Sequence, residues 1–374
     1  MRVRCNECGT EGEFQLAVWR CSCGGAWEPV GLPEFDPSNI FAQDFSIWRY
    51  GRMLGLDIDR PLKRMGVGWT PLVPIEFLGQ KIHLKLEYLS PSGSFKDRGV
   101  NAMVNQLVHM RANLLVEDSS GNAGASLAAH SARFGIKSII FVPAYASPSK
   151  LAQISIYGVD VVPIEGPRSA AEKAAQAIVG KDSVYASHAH NPAYLAGQMT
   201  AAWELWEQLD RHVPDWVISP VAQGGQFLGL WFGFKHLQDA GLVDRIPRMV
   251  AVQPARIAPL FNAWHQGLEE VKPIDASGPT VAEGVAISQP VRGKRLLQVI
   301  KDTNGMVLAI DEDAILMAQQ DIARHGYYIE PTSALVIAAI KNLAEHFKPS
   351  DIVVVPLTGN GLKGKPKYDY GSKD

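Results

Sequence analysis

The stretch Lys81-Ile-His-Leu-Lys-Leu-Glu87 alternates polar and apolar side chains, the period of a strand with one face in the core. Residues 99–110 then read as a helix and 113–117 as the next strand. Residues 125–134 give a second helix, ended by Gly135 in the position that favours a left-handed backbone. Ser138-Ile-Ile-Phe-Val142 is an unbroken apolar run, as expected of a strand covered on both faces. The alternation continues with a helix at 150–157, a strand at 160–164, a helix at 169–179, a strand at 183–187 and a helix at 195–209. A second series starts at 215–219, passes through a helix at 227–237 and a strand at 248–252, and closes at 351–357. Strands alternating with helices predict parallel sheets covered by helices on both faces.

With 374 residues the chain exceeds an ordinary single domain and is expected to form two α/β lobes with a small appendage. The predicted units are residues 1–30, 31–200 and 201–374. Lys+Arg 36 against Asp+Glu 38 leaves a formal charge of -2, which argues against nucleic acid as the main partner. Behind the opening Met-Arg-Val-Arg-Cys there is no apolar stretch of the kind a secretory signal needs. The apolar run 334–340 ends at Lys341, far short of the roughly 20 residues of a membrane helix, so a cytoplasmic protein without membrane contact is expected.

All 4 cysteines fall in the first unit, as Cys5-Asn-Glu-Cys8 and Cys21-Ser-Cys23. Two thiolate pairs close in sequence could hold Zn²⁺ tetrahedrally, with the neighbouring glycines turning backbone amides toward sulfur. The Cys-x-Cys spacing is one residue shorter than the usual knuckle, and a ribbon that keeps its shape without metal remains open. Either way four thiolates leave no position free for chemistry, so the unit reads as structural.

Three loops lie where strands end and helices begin, the place where open α/β sheets gather ligands. In Ser92-Gly-Ser-Phe-Lys-Asp-Arg-Gly99, Lys96 stands in the first turn of a helix. The positive end of the helix dipole and burial would both lower its pKa and favour a nucleophilic amine, although a solvated lysine also fits the segment. In Asp118-Ser-Ser-Gly-Asn-Ala-Gly124, Ser119, Ser120 and the amides near Ala123 form a pocket for a carboxylate. Asn122 can reach a ring hydroxyl from the same turn, with a simple helix cap as the alternative. In Pro220-Val-Ala-Gln-Gly-Gly-Gln226 the glycines suit a phosphate, without the pattern of a dinucleotide or nucleoside-triphosphate loop.

Together these segments resemble one family. Leu84-Lys-Leu-Glu-Tyr-Leu-Ser-Pro-Ser-Gly-Ser-Phe-Lys-Asp-Arg-Gly99 is similar to the cofactor-lysine segment of threonine synthases, members of the tryptophan-synthase-β-like (fold type II) pyridoxal-phosphate enzymes. Ile47-Trp-Arg-Tyr50, Trp69-Thr-Pro-Leu72, Glu330-Pro-Thr-Ser-Ala334 and Leu357-Thr-Gly-Asn-Gly-Leu-Lys363 agree with it, so the resemblance spans nearly the whole chain. It implies two parallel-sheet three-layer lobes and pyridoxal 5'-phosphate held as an imine on Lys96, which later moves the Cα proton. It further implies that Asn122 holds the 3-hydroxyl, that Gln223, Gly224, Gly225 and Gln226 hold the phosphate, and that Thr358 faces the ring nitrogen. A hydroxyl there weakens the electron sink and suits elimination and replacement. The family's members are commonly homodimers, which implies the same here.

The match departs at three places. Gly121-Asn-Ala-Gly124 replaces the usual Gly-Asn-Thr-Ser, and Ala222 and Gln223 stand for Gly and Asn. In Asn191-Pro-Ala-Tyr-Leu-Ala-Gly-Gln-Met-Thr200, Tyr194 and Met199 occupy positions that typically carry basic residues able to meet a substrate phosphate. Lys150, with Ser147 and Ser149, could supply part of that site, with Asn191 as a further substrate contact. The resemblance therefore implies threonine formation from O-phosphohomoserine and water. A β-eliminating or β-replacing relative, similar to serine/threonine dehydratases or cysteate synthases, is the alternative. An idle relative or a ribbon-based interaction module is a third, against which the intact Lys96, Asn122 and Thr358 argue.

Overall fold

The computed structural model describes residues 1–364 except Ser147 and Lys181. The ribbon holds β1 (Arg2–Cys5), β2 (Glu11–Glu13) and β3 (Trp27–Pro29), joined antiparallel in the order β2-β1-β3. A hairpin of β4 (Leu72–Phe77) and β5 (Gln80–Lys85) leads to α1 (Lys96–His109). There follow β6 (Leu114–Glu117), α2 (Asn122–Phe134), β7 (Lys137–Pro143), α3 (Pro148–Ser155), β8 (Asp160–Ile164), α4 (Arg168–Ala177), β9 (Ser183–Tyr185) and α5 (Pro192–Gln208). The remainder contains β10 (Trp216–Pro220), α6 (Gly225–Asp239), β11 (Arg248–Pro254), α7 (Pro259–His265), α8 (Gly293–Asp302), β12 (Met306–Ile310), α9 (Glu312–Arg324), α10 (Pro331–Leu343) and β13 (Val353–Pro356).

Strands β8-β7-β6-β9 form a four-stranded parallel sheet, and β12-β11-β10-β13-β5-β4 a six-stranded sheet that is parallel except for its edge β4. The architecture is the expected one of two parallel-sheet layers clad in helices. The division along the chain is less simple than a cut at residue 200, because β4 and β5 precede the small sheet in sequence yet complete the large one. Hydrogen bonding between β5 and β13, with Leu84 opposite Val355, makes that crossing. It sets the start of α1, and with it Lys96, beside the end of β13.

Helix α5 carries buried residues on nearly every turn, from Pro192 to Trp206, and runs between α1 and α6. Its close approach to both rests on glycine. A Cβ at Gly197 would lie 2.3 Å from the Arg98 carbonyl, and one at Gly229 would lie 2.3 Å from Gln198 Cβ. Across this contact Arg98 donates to Glu87 (Nε to Oε2, 2.6 Å) and to Glu204 (Nη1 to Oε1, 2.6 Å), while Lys85 Nζ donates to Glu204 Oε2 at 2.9 Å. Thr70 completes the cluster through Arg98 Nη2 at 3.1 Å and its own hydroxyl bond to Glu87 at 2.7 Å. All four charged groups are buried, so each depends on the others for the solvation that water would give. The attraction of Arg98 and Lys85 holds Glu204 at about 2 despite its burial.

Candidate active site

Lys96 is the first residue of α1, and Asp97 holds the turn before it. Asp97 accepts from Ser92 N (2.7 Å), Ser92 Oγ (2.6 Å) and Ser126 Oγ of α2 (2.5 Å). On the other side Phe95 N donates to the Thr358 carbonyl at 2.9 Å, and Ser94 bridges Gly359. Lys96 is half-buried, and protein surrounds its ammonium closely enough to desolvate it. That burial, offset by Glu117 and Glu330, lowers its pKa to about 8. Its Nζ lies 4.7 Å from the centre of the Phe95 ring and 5.9 Å from that of Tyr194.

Asn122 opens α2, and its Nδ2 donates to both Glu330 oxygens at 3.1 Å. Glu330 precedes α10 and its backbone N–H donates to the Gly359 carbonyl at 3.0 Å, so this acid ties Asn122 to the β13 loop. A Cβ at Gly359 would fall 2.1 Å from the Glu330 carboxyl carbon, so a larger residue there would push this carboxylate away from Asn122. Thr358 is buried and its Oγ1 lies 2.8 Å from Ser333 Oγ, which also accepts from Gly359 N at 2.9 Å. Nothing local to the Glu330 segment gives that acid a role, and its one signal in the sequence is a carboxyl directly before the Pro331 that starts a helix. Ser119 and Ser120 are half-buried in the turn before α2, where Ser119 Oγ accepts from Gly121 N at 3.3 Å. Ala123 is buried in the first turn of that helix.

Gly224, at φ 79°, turns the third loop into α6, so that the first amides of the helix are left without helical acceptors. Gln223 Oε1 accepts from Val291 N at 2.8 Å, and Gln226 Oε1 from Ser219 Oγ at 3.3 Å. The buried Gln226 Nε2 meets no acceptor. Tyr194 of α5 is wedged between this loop and the lysine helix: a Cβ at Gly225 would lie 2.9 Å from its ring and one at Gly99 2.3 Å from it. Tyr194 thus fixes the spacing between Lys96 and the phosphate-type loop, a role that its sequence context concealed. Met199, the other position where a charge was sought, is fully buried in the core between α5 and α6, with its carbonyl 2.5 Å from where a Gly233 Cβ would stand. Its apolar character therefore reports on helix packing rather than on a substrate.

Asn191 caps α5, its side chain accepting from Ala193 N at 2.9 Å, and it is buried. Lys150 belongs to α3, but its side chain lies outside the described residues, as does Ser147 altogether. Beyond the expected set, burial raises Glu117 to about 7, and its Oε1 lies 3.0 Å from His188 Nδ1. Burial and the nearby Lys96 hold His188 well below its usual value, so it stands neutral. Glu117 ends β6 and His188 lies beyond the end of β9, so no local pattern joins the pair.

These residues fit a phosphorylated pyridine aldehyde: a desolvated amine, an amide at hydroxyl distance from an acid, a hydroxyl on a buried strand end, and a helix start with an unmet buried donor. Raising the pH should accelerate aldehyde capture by the apoprotein with a midpoint near 8 instead of near 10.5, since only the neutral amine attacks. Stopped-flow absorbance across pH 6 to 10 would measure it, on the order of tenfold per unit below the midpoint.

In the ribbon, Cys5, Cys8, Cys21 and Cys23 lie with their sulfurs within 4.8 Å of one another. Cys5 to Cys23 is 3.4 Å and Cys8 to Cys21 is 3.6 Å. Tetrahedral zinc with bonds of roughly 2.3 Å requires sulfur separations of about 3.8 Å, so the set fits the ion. Gly25 admits that approach, since a Cβ there would sit 2.5 Å from Cys5 Sγ.

Among known proteins, the chain is 31% identical to a threonine synthase of Methanocaldococcus jannaschii over 97% of its own length and 93% of that protein's. It is 29% identical to the threonine synthase of Methanosarcina acetivorans, over 96% and 92% of the two chains. Its fold superposes on the crystal structure of a T.th. threonine deaminase with TM-score 0.66 and 26% identity, covering 81% of this chain and 94% of that one. The family described as pyridoxal-phosphate dependent enzyme matches residues 63–359, which span the lysine turn, the Asn122 turn, the glycine loop and Thr358. The chain is a member of the pyridoxal-phosphate dependent enzyme family.

Proposed function

We propose that the chain is a threonine synthase, converting O-phosphohomoserine and water to threonine and phosphate. The observation that carries this reading is the likeness to threonine synthases over nearly the full length of both chains. When bound, the cofactor draws electrons from the substrate's Cα. In this reading Lys96 holds the cofactor aldehyde and then moves the substrate's Cα proton. Its lowered pKa of about 8 keeps a usable fraction of neutral amine near pH 7. Ser119, Ser120 and the amide of Ala123 receive the substrate carboxylate at the start of α2. Asn122 faces the cofactor's 3-hydroxyl, with Glu330 orienting its amide. Gln223 to Gln226 cradle the cofactor phosphate, and Thr358, a hydroxyl backed by Ser333, leaves the ring nitrogen unprotonated. Asn191, whose side-chain oxygen caps α5, adds a further substrate contact, and Lys150 supplies charge for the substrate phosphate.

Purified protein given phosphohomoserine should release inorganic phosphate and threonine in equal amounts. Lys150→Ala should then raise KM about tenfold, the worth of one charge-assisted phosphate contact. A second reading, deamination of serine or threonine, is supported by the uncharged Tyr194 beside Lys96 and by the likeness to threonine deaminase. Ammonia and a 2-keto acid from those amino acids, with no threonine from phosphohomoserine, would replace the first reading by the second.

We also read the four thiolates as a structural zinc site. About one equivalent of zinc per chain should copurify and be lost in Cys8→Ser, as metal analysis would measure. Thiols gathered for a metal rather than paired as disulfides support a reducing, cytoplasmic setting. Among the described residues no helix is long and apolar enough to cross a membrane. A homodimer belongs to the same reading, and sedimentation would test it.

A further inference from the structure

Arg292 is a buried cation that the reaction outlined above does not use. Arg292 is 1% exposed, and among the described residues it forms no ion pair, although the charge of Glu28 acts on it. Its guanidinium instead donates to three backbone carbonyls from two separate parts of the chain. Nη1 donates to Ala189, while Nη2 donates to Trp27 at 2.8 Å and more weakly to His190 at 3.4 Å. Nε meets no acceptor. Keeping a full charge in such a place is costly unless its bonds fix something that matters, and apolar side chains of that length pack without the cost.

What it fixes can be traced in both directions. Toward the ribbon, Trp27 lies on β3 directly opposite Cys5 of β1, and Glu28, opposite Arg4, accepts from Arg295 Nη2 at 3.0 Å. The strand that presents a metal-binding thiolate is therefore the neighbour of the strand bound by α8 and its cap. Toward the cofactor loop, the residue before Arg292 is Val291, whose N–H donates to Gln223 Oε1 at 2.8 Å. Leu296, one turn into α8, packs where a Gly224 Cβ would come within 2.6 Å of it. Arg292 itself stands as the cap residue of α8 between these two sets of contacts.

We infer that Arg292 is a positioning residue that couples the four-cysteine ribbon to the glycine loop, so that metal in the ribbon tightens the grip on the cofactor phosphate. This rests on the zinc and pyridoxal-phosphate readings given above. The physical basis is linkage: an ion that orders β1 and β3 holds the Trp27 carbonyl and Glu28 in place. That in turn holds the cap of α8 and the Gln223 side chain at the loop. Metal and cofactor then favour the same arrangement, and each should strengthen the binding of the other by the same factor.

The test uses the full chain, with the cofactor dissociation constant measured by absorbance for zinc-loaded and chelator-stripped protein. The phosphorus-31 signal of the bound cofactor is followed in the same samples. In the wild type, stripping should raise the dissociation constant by about tenfold or more, and shift or broaden the phosphate resonance. In Arg292→Met the constant should start high and respond to stripping less than about twofold. Arg292→Lys, which retains the charge but reaches fewer carbonyls, should fall between. An unchanged constant on stripping the wild type overturns the coupling, and this arm stands even if Arg292→Met fails to fold. An equal response in wild type and Arg292→Met overturns the role of Arg292. Metal analysis separates these outcomes from failure of the zinc reading, which would appear as protein without metal and would also overturn the coupling. Protein that captures no cofactor with metal bound would overturn the pyridoxal-phosphate reading and the coupling together.

Discussion

Lys96→Ala should lose the visible absorption of bound cofactor and reduce turnover by about 10³-fold or more, since in the proposed reading it removes both the covalent attachment and the group that moves the Cα proton. Borohydride reduction of the wild type followed by peptide mapping should place the label on Lys96 alone. Several other lysines compete for the assignment on charge grounds. Lys85 is more deeply buried than Lys96, but its Nζ is held by Glu204 at 2.9 Å, the Thr70 carbonyl at 2.7 Å and Gln208 at 2.8 Å, which leaves it nothing to offer a substrate. Lys363 is engaged with the Ser92 carbonyl at 2.7 Å. Lys96 differs in having the ring faces of Phe95 and Tyr194 as the neighbours of its amine. A label on either of the others would sink the assignment.

The second large effect concerns stability. Arg98→Met removes the cation that joins Glu87 and Glu204, and leaves two buried carboxylates with Lys85 and Thr70 for compensation. Breaking a buried pair in this way costs about 3–5 kcal/mol, a large part of the stability of a typical domain. Urea unfolding should show it as a lowered midpoint. The sign with pH also follows. Glu204 is held at about 2, below its ordinary value, so its contribution is present above that ordinary value near 4.5 and is lost as pH falls toward 2. The wild type should therefore lose stability between those limits more steeply than Glu204→Gln. A variant series in which Arg98→Met and wild type unfold at the same urea concentration would show that the cluster contributes nothing.

Local patterns in the sequence carried much of the fold. The helix expected at 125–134 is Asn122–Phe134 and ends at Gly135 with φ 69°, because a glycine after an apolar run marks a left-handed cap regardless of its neighbours. The strand at 160–164 has the expected bounds. Boundaries erred at helix starts: α1 begins at Lys96 rather than at residue 99, and α5 at Pro192 rather than at 195. The first turn of α1 is the charged Lys96-Asp97-Arg98, and α5 starts on Pro192 behind its Asn191 cap, so no apolar period announces either start. Strands β4 and β12 and helices α7 to α10 have no counterpart among the expected elements, although α8 carries a plain apolar face of Leu296, Leu297, Val299 and Ile300.

The turns that carry Lys96, Asn122, the glycine loop and Thr358 were legible in the sequence because glycines mark them. Glycine at Gly224 admits a positive φ, and Gly359 admits a carboxylate against its Cα. Only the tertiary structure brought in Glu330, 208 residues from Asn122, and the pair of Glu117 with His188, 71 residues apart. The same is true of Tyr194 between two glycines, and of Arg292 reaching back 265 residues to Trp27. The reason is physical. Backbone conformation is set by a residue and its neighbours, and so it is written locally. The charge state and partners of a buried group depend on what the whole fold places around it, and no local pattern records that.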